Sequence, residues 1–207
     1  MKNIIEDAIA YDMKVNTHGE RFVQNLQLAF KWTEDPAFAH WIAEAIGQEK
    51  NILVFGRCRS GKTKLVNELL GMIDPSKKFR YIYRSTGDSF HDYEMQTEFH
   101  DRIEYSINME KMPFHILKRG IPSEDPRYWM KPEFFVIDDI HRSDLSNIVS
   151  RIKKDIQLPM IATFQSYNKD DLDYINMYLK SFFDLFIVVE SYQNISHVLF
   201  KQGEEGS

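Results

Sequence analysis

The spacing of apolar residues divides this chain into a helical first part and a longer part in which strands and helices alternate. One face of a predicted helix over residues 20–32 collects Phe22, Val23, Leu26, Ala29 and Phe30. A second helix is predicted to begin at Asp35-Pro36, because aspartate caps the first N–H groups of a helix and proline suits its first turn. We therefore expect two or three helices within residues 1–48.

From residue 49 onward, short continuous apolar runs alternate with amphipathic stretches. The runs predict buried strands at 52–55, 79–83, 134–138, 160–164 and 185–190, with an antiparallel edge strand at 197–201. Helices are predicted at 64–70, 144–155 and 170–180, a further helix at 94–108, and loop with short helix at 113–131. Strands alternating with helices favour a mostly parallel sheet that is sandwiched by helices. The expected architecture is an α/β domain over residues 49–207, preceded by a small helical segment at 1–48.

Composition narrows the class of protein. The chain has 207 residues, of which 43% are hydrophobic and 14% aromatic, enough for a well-packed core. Its formal net charge of −5 excludes a uniformly basic nucleic-acid binder, so any DNA contact has to come from a local patch or a ring of subunits. A single cysteine, Cys58, excludes an intramolecular disulfide and fits a reducing compartment. No signal peptide or membrane-spanning run is evident, so we expect a cytoplasmic protein that is not integral to a membrane.

The strongest chemical signal follows the first predicted strand. Residues 56–63 read Gly-Arg-Cys-Arg-Ser-Gly-Lys-Thr, which is the G-x-x-x-x-G-K-[ST] spacing of a phosphate-binding loop. The backbone N–H groups of such a loop, with the N-terminus of the next helix, bind phosphate oxygens. We expect Lys62 to reach the β- and γ-phosphates of ATP and the Thr63 hydroxyl to hold Mg²⁺. The predicted nucleotide contacts are Gly56, Arg57, Cys58, Arg59, Ser60, Gly61, Lys62, Thr63 and Lys64.

Two further strands end in polar residues. The run at 134–137 is followed by Asp138 and Asp139, as a Walker B strand requires: the first acid is expected to bind Mg²⁺ and the second to activate water for attack on the γ-phosphate. The strand at 160–164 is followed by Gln165, which we expect to sense the γ-phosphate. Alternatively, the acids cap the next helix and the glutamine bonds only to backbone.

With these three motifs, the chain resembles the additional-strand class of P-loop ATPases, which work as ring-shaped motors. The FtsK/HerA branch, which includes viral genome-packaging ATPases, is similar in the basic residue after Gly56, the Asp138-Asp139 pair and the strand that ends in Gln165. The resemblance implies an ATP- and Mg²⁺-dependent motor that moves a polymer, DNA being the one expected first. It also implies a homo-oligomeric ring of five or six subunits, with a capsid or a secretion complex as a further partner.

The secretion and pilus ATPases of the type II and type IV systems are the second family that the chain resembles. Three stretches are similar to that family: residues 51–54 before the loop, which begin with Asn51, residues 131–133 before Walker B, and residues 183–185, with Asp184 at their centre, before the late strand. Three departures count against it: Asp138-Asp139 replaces its Gly-Glu, Gln165 replaces a histidine, and residues 83–86 lack its acidic box. That family also carries a large N-terminal domain.

Both families complete the site with an arginine from a neighbouring subunit. Arg142 is the candidate nearest to Walker B, with Arg119 and Arg127 as alternatives, while His141 is read as a surface residue. Arg59 stands where many relatives have glycine, which raises the question of the loop's backbone geometry. Two other classes stay open: a small-molecule or nucleotide kinase with a lid at 113–131, and a switch that binds nucleotide without hydrolysing it. A helicase-loader type of ATPase is disfavoured, because that type usually has asparagine where this chain has Gln165.

Overall fold

A computed structural model describes residues 20–83, 103–108, 133–140, 158–165, 169–191 and 194–200. The predicted helix at 144–155 and the predicted loop at 113–131 lie outside these residues. The helices are α1 Glu20–Ala29, α2 Pro36–Gly47, α3 Lys62–Met72 and α4 Lys169–Tyr174, which continues as a π-helical turn, Ile175–Leu179. The strands are β1 Ile52–Gly56, β2 Phe79–Tyr83, β3 Ile103–Asn108, β4 Phe134–Ile140, β5 Met160–Gln165, β6 Leu185–Ser191 and β7 Asn194–Phe200.

The seven strands form one sheet in the order β3-β2-β4-β5-β1-β6-β7. Every neighbouring pair is parallel except β6 and β7, which are antiparallel. The strand of the phosphate loop, β1, is therefore separated from the acidic strand β4 by one intervening strand, β5. This separation agrees with the extra strand that the resemblance implied, and the parallel pairing brings the carboxyl ends of β1, β5 and β4 to the same edge of the sheet.

Helices cover both faces of the sheet, as predicted. Alternate residues of β1 point to opposite sides: Ile52 and Val54 join a core cluster with α1, α2 and α3, whereas Leu53 and Phe55 join a second cluster with α4 and the π-helical turn. Both clusters consist of almost fully buried apolar side chains. The fold class predicted from sequence, a mostly parallel sheet between two layers of helices, is confirmed.

The start of α2 shows why its prediction held. Asp35 has extended backbone angles, and its Oδ1 accepts hydrogen bonds from the N–H groups of Ala37 at 2.8 Å and Phe38 at 3.4 Å. Pro36 occupies the first turn, where a missing N–H removes no helical hydrogen bond. Among the residues described, no helix has both the length and the apolar character required to cross a bilayer.

One predicted helix is wrong over the residues that the structure describes. Residues 103–108 form β3, an edge strand that pairs in parallel with β2, instead of the end of a helix at 94–108. Ile103, Tyr105 and Ile107 alternate with polar residues at the two-residue period of a strand. Pairing with β2 provides hydrogen bonds for backbone groups of this short segment. These tertiary hydrogen bonds outweigh its weak helical pattern.

Candidate nucleotide site

The phosphate loop lies between the end of β1 at Gly56 and the start of α3 at Lys62. Gly61 is the N-cap of α3, with a φ of 97°, a left-handed conformation that glycine adopts without strain. No side chain caps the first turn of α3, since Gly61 has none. The N-terminus of this helix thus presents backbone N–H groups and the positive end of the helix dipole to the loop, which suits an anion.

Ser60 provides a direct test of whether the loop fits a phosphate. Its Oγ is buried, and within the described part of the chain it has no hydrogen-bond partner. Leaving a hydroxyl buried and unpaired costs about 1–3 kcal/mol, so such an atom in a native fold calls for an explanation. A phosphate oxygen bound in the loop would accept a hydrogen bond from this hydroxyl. The residues present therefore fit the phosphates of a nucleotide.

Lys62 lies across the loop that it follows. Its Nζ donates hydrogen bonds to the carbonyl oxygens of Gly56, at 3.1 Å, and Arg57, at 2.7 Å, and only 9% of the residue is exposed. The ammonium group is thus held inside the loop instead of pointing to solvent. Its positive charge therefore lies beside the backbone of the loop, and the predicted contact with the β- and γ-phosphates stays a prediction.

The residues predicted to hold Mg²⁺ are brought together from different elements. Asp138, on β4, is 3% exposed, and its Oδ2 lies 3.5 Å from the Oγ1 of Thr63 on α3. Carboxylate and hydroxyl oxygens are the ligands that Mg²⁺ prefers, and one or two of them suffice when phosphate oxygens and waters complete its octahedron. The described residues hold no group of three or more His, Cys, Asp or Glu that could bind a metal by itself. The pair therefore fits Mg²⁺ bound together with a nucleotide.

The acidic pair lies at an irregularity of the sheet. Ile137 pairs with Ala162 and Ile140 pairs with Phe164, so β4 uses three residue steps where β5 uses two. Asp138 and Asp139 therefore both lie opposite Thr163, in the manner of a β-bulge. Bulges redirect side chains and break the strict alternation of a strand. The backbone of Asp139 belongs to β4, and its side chain lies outside the described part of the structure.

Gln165, the predicted sensor, ends β5 and pairs in register with Gly56, the first residue of the phosphate loop. It is partly exposed, unlike the five fully buried residues before it in β5. Gln165 thus lies at the same edge of the sheet as the loop, on the strand next to β1. A contact with a γ-phosphate stays a prediction.

The remaining predicted residues differ in how far the structure describes them. Arg57, Cys58, Arg59 and Lys64 are exposed on the loop and the first turn of α3. Arg59 has a φ of 58°, a left-handed conformation that is unusual for a residue other than glycine. The arginine candidates Arg119, Arg127 and Arg142, together with His141, lie outside the described residues.

Sequence reasoning did not assign a role to Thr163, which the structure places in the site. Its Oγ1 donates a hydrogen bond of 2.6 Å to the Oδ1 of Asp138, and it is 1% exposed. The sequence did contain a signal for Thr163, because it lies two residues before Gln165. Alternate residues of a strand share a face, so the Thr163 hydroxyl lies on the same side of β5 as Gln165.

Two residues that carried the resemblance to secretion ATPases lie at the opposite edge of the sheet. The N–H of Asn51 donates to Oδ2 of Asp184 at 2.9 Å, and the N–H of Asp184 donates to the carbonyl of Asn51 at 2.8 Å. The Oδ1 of Asn51 also accepts a hydrogen bond from the N–H of Met160 at 3.1 Å. These contacts join the beginnings of β1, β5 and β6, so both residues have a structural role remote from the loop.

Comparison with known proteins gives a match at the level of structure. No protein-family model matches the chain, and no curated protein matches its sequence. Among solved structures, the chain is similar to the VirB11 ATPase from the Brucella suis type IV secretion system in complex with sulphate, with a TM-score of 0.56 and 15% sequence identity. The match covers 90% of this chain and 57% of that one, so the chain spans little more than half the length of its neighbour. The two proteins share a fold.

Proposed function

We propose that this chain is an ATPase that binds ATP and Mg²⁺ at the loop of residues 56–63 and hydrolyses the nucleotide. The observation that carries the proposal is the approach of Asp138 to Thr63, which come from β4 and α3 and lie 75 residues apart in sequence. A buried carboxylate beside the hydroxyl of a phosphate-loop helix is the arrangement that phosphoryl-transfer sites use for Mg²⁺. The fold shared with an ATPase supports the same reading.

The chain's own residues divide the work of hydrolysis. Backbone N–H groups of the loop and the hydroxyl of Ser60 bind phosphate oxygens, and Lys62 adds its positive charge at the β- and γ-phosphates. Thr63 and Asp138 hold Mg²⁺, which neutralises negative charge on the phosphates when it is bound. Asp139 accepts a proton from the attacking water, and Gln165 contacts the γ-phosphate. An arginine of a neighbouring subunit, with Arg142 as first candidate, stabilises charge on the transferring group.

Turnover by three variants tests this proposal. We expect Lys62→Ala and Asp139→Asn each to lower the release of inorganic phosphate from ATP by at least about 100-fold, because Lys62 acts on the transferring phosphoryl group and Asp139 on the attacking water. Lys31→Ala, which removes an exposed lysine just after α1, serves as the matched control and should retain wild-type turnover. Asp139→Asn should still bind ATP, since it removes only the proposed base.

Three outcomes would contradict the proposal or select a rival class. Wild-type protein that binds ATP but releases no phosphate would indicate a switch. Turnover that requires an added acceptor would indicate a kinase, because a hydrolase needs only water. Lys62→Ala with wild-type turnover would show that the activity does not reside in this loop.

We further propose that hydrolysis drives a homo-oligomeric motor that moves a polymer. Two processes fit. The shared fold with a type IV secretion ATPase supports export of protein or DNA, whereas the Asp138-Asp139 pair and Gln165 support DNA translocation of the FtsK/HerA and genome-packaging kind. Sedimentation with and without ATP and DNA, together with phosphate release measured in the same mixtures, tests the polymer. An oligomer whose turnover rises with DNA supports a motor that moves DNA in either process, and an oligomer indifferent to DNA supports protein export. A strict monomer would overturn both.

A further inference from the structure

The carboxylate of Asp138 is held by a residue that lies outside the phosphate loop. Thr163 Oγ1 donates to Asp138 Oδ1 at 2.6 Å, a length typical of a hydrogen bond from a hydroxyl to a charged carboxylate. Both residues are almost fully buried, at 1% and 3% exposed. The low local dielectric strengthens this hydrogen bond, and the buried oxygen is satisfied by it.

The bulge in β4 explains why the carboxylate requires such a partner. Between Ile137 and Ile140 the regular pairing with β5 is interrupted, and Asp138 lies in that interruption opposite Thr163. A bulge re-aims the side chains of the residues that it contains, so regular strand pairing alone does not set the direction of the Asp138 carboxylate. The hydrogen bond from Thr163 holds one carboxylate oxygen in place, while the other, Oδ2, lies 3.5 Å from Thr63.

We propose that Thr163 is a positioning residue that sets the orientation of Asp138 for Mg²⁺ binding. The inference rests on the proposed function, since it concerns the same site. Thr163 acts through Asp138, in the way that residues behind a metal ligand orient it and tune its affinity. Gln165, two residues further along β5, is expected to act on the nucleotide itself, so one face of β5 serves both the metal ligand and the phosphate.

Equilibrium binding of a fluorescent ATP analogue at graded Mg²⁺ concentrations tests the proposal without relying on turnover. Thr163→Val keeps the shape of the side chain and removes the donor. We expect it to raise the Mg²⁺ concentration at half-maximal binding by about 10-fold, the lower end of the effect of losing a residue behind a metal ligand. Thr163→Ser restores a hydroxyl and should stay within about 3-fold of wild type, well short of that loss. Binding in the presence of EDTA should be the same for all three proteins.

Two controls separate positioning from loss of stability. Val136→Ala truncates a buried residue of the same strand as Asp138; it should lower the free energy of unfolding by about 1 kcal/mol or more, with an unchanged Mg²⁺ requirement. If Thr163→Val fails to fold, Thr163→Ala is the substitute, because it also removes the donor and does not place a second methyl group where the hydroxyl was. Wild-type Mg²⁺ dependence in either folded variant would overturn the role of Thr163. Wild-type protein whose nucleotide binding ignores Mg²⁺ would instead overturn the proposed function.

Discussion

Gly56 lies directly against the backbone of Val189: a Cβ placed on the glycine would be 2.1 Å from the Val189 carbonyl oxygen and 3.0 Å from Ser60 Oγ. The carbonyl belongs to β6, which pairs with β1, so it cannot move away without disturbing the sheet. We expect Gly56→Ala to lower the free energy of unfolding by at least about 1–3 kcal/mol, the usual effect of overpacking, and to weaken ATP binding because the loop starts at this residue. Urea denaturation and nucleotide titration measure the two effects.

Gly71 provides the control for that substitution. It lies exposed in α3, and a Cβ placed there would meet no heavy atom within 4 Å. Gly71→Ala should therefore raise the free energy of unfolding by roughly 0.5–1 kcal/mol, since alanine restricts the unfolded chain and favours the helix. Equal losses of stability in the two variants would contradict the close approach at Gly56.

Arg59 and Glu49 offer a paired test of backbone strain, because both adopt positive φ, at 58° and 54°. A left-handed conformation destabilises the folded state by about 1–2 kcal/mol when the residue has a Cβ, and glycine removes this strain. Glycine also makes the unfolded chain more flexible, which cancels part of the gain in stability. Arg59→Gly should raise the free energy of unfolding by up to about 1 kcal/mol, and Glu49→Gly should raise it by less, because it also removes the ion pair between Glu49 and Lys77. Thermal or urea denaturation measures both effects.

The two variants should differ in nucleotide binding. Arg59 lies in the loop and contributes positive charge, whereas Glu49 lies before β1. Arg59→Gly should weaken ATP binding, and Arg59→Asn, which is neutral yet tolerates a left-handed backbone, should weaken it to a similar extent. If Arg59→Asn binds ATP as wild type does, the charge of Arg59 is not used by the nucleotide.

Substitution of Asn51 should lower the stability of the fold without changing the nucleotide site. Its Oδ1 accepts the hydrogen bond of the buried Met160 N–H, so Asn51→Ala leaves a buried donor unpaired, at about 1–3 kcal/mol. β1 separates Asn51 from the phosphate loop by five residues, roughly 15 Å of extended chain. The free energy of unfolding should fall while the dissociation constant for ATP stays constant. A matching loss of ATP affinity would show that the two edges of the sheet are coupled.

Asp74 should make the free energy of unfolding fall at acid pH. Hydrogen bonds from the Ser76 hydroxyl, at 2.7 Å, and the Ser76 N–H, at 2.9 Å, lower its pKa below the usual 3.8, with a further contribution from Arg21. Because the pKa is lower in the folded state, the stabilisation is fully present above pH 3.8 and is lost as the pH falls through the folded-state value. NMR titration of the Asp74 carboxyl group should give a midpoint below 3.8, and Ser76→Ala should raise it.

Parts of the fold that depend on long apolar runs could be predicted from sequence. β1, β4, β5 and β6 are buried on both faces, so their residues are almost all apolar and their ends are marked by polar residues. β3 could not be predicted in the same way, because it is short and lies at the edge of the described sheet, and its alternation of apolar and polar residues extends over only three pairs. The π-helical turn at Ile175–Leu179 keeps helical spacing in the sequence, which hides the altered hydrogen bonding.

The candidate site divides along similar lines. The phosphate loop and the acidic strand were predicted because each is a contiguous motif whose residues act through fixed spacing. Thr163 escaped prediction because its role depends on the extra residue of β4, and pairing between strands 25 residues apart is not encoded in either segment alone. Asn51 and Asp184 were read as family features, and the structure explains them by mutual hydrogen bonds.

The strand order also determines when the phosphate loop can form during synthesis. β1 hydrogen-bonds only to β5 and β6, and the contacts that join their beginnings span 109 and 133 residues. The apolar β1 therefore leaves the ribosome long before either of its neighbours exists, and it must wait unpaired while β2 and β4 are made. Parallel pairing at such separations is slow and exposes a β-prone segment to aggregation. Truncated chains that end before β5 should accordingly accumulate in the insoluble fraction, and chaperone supply should limit the yield of the full chain.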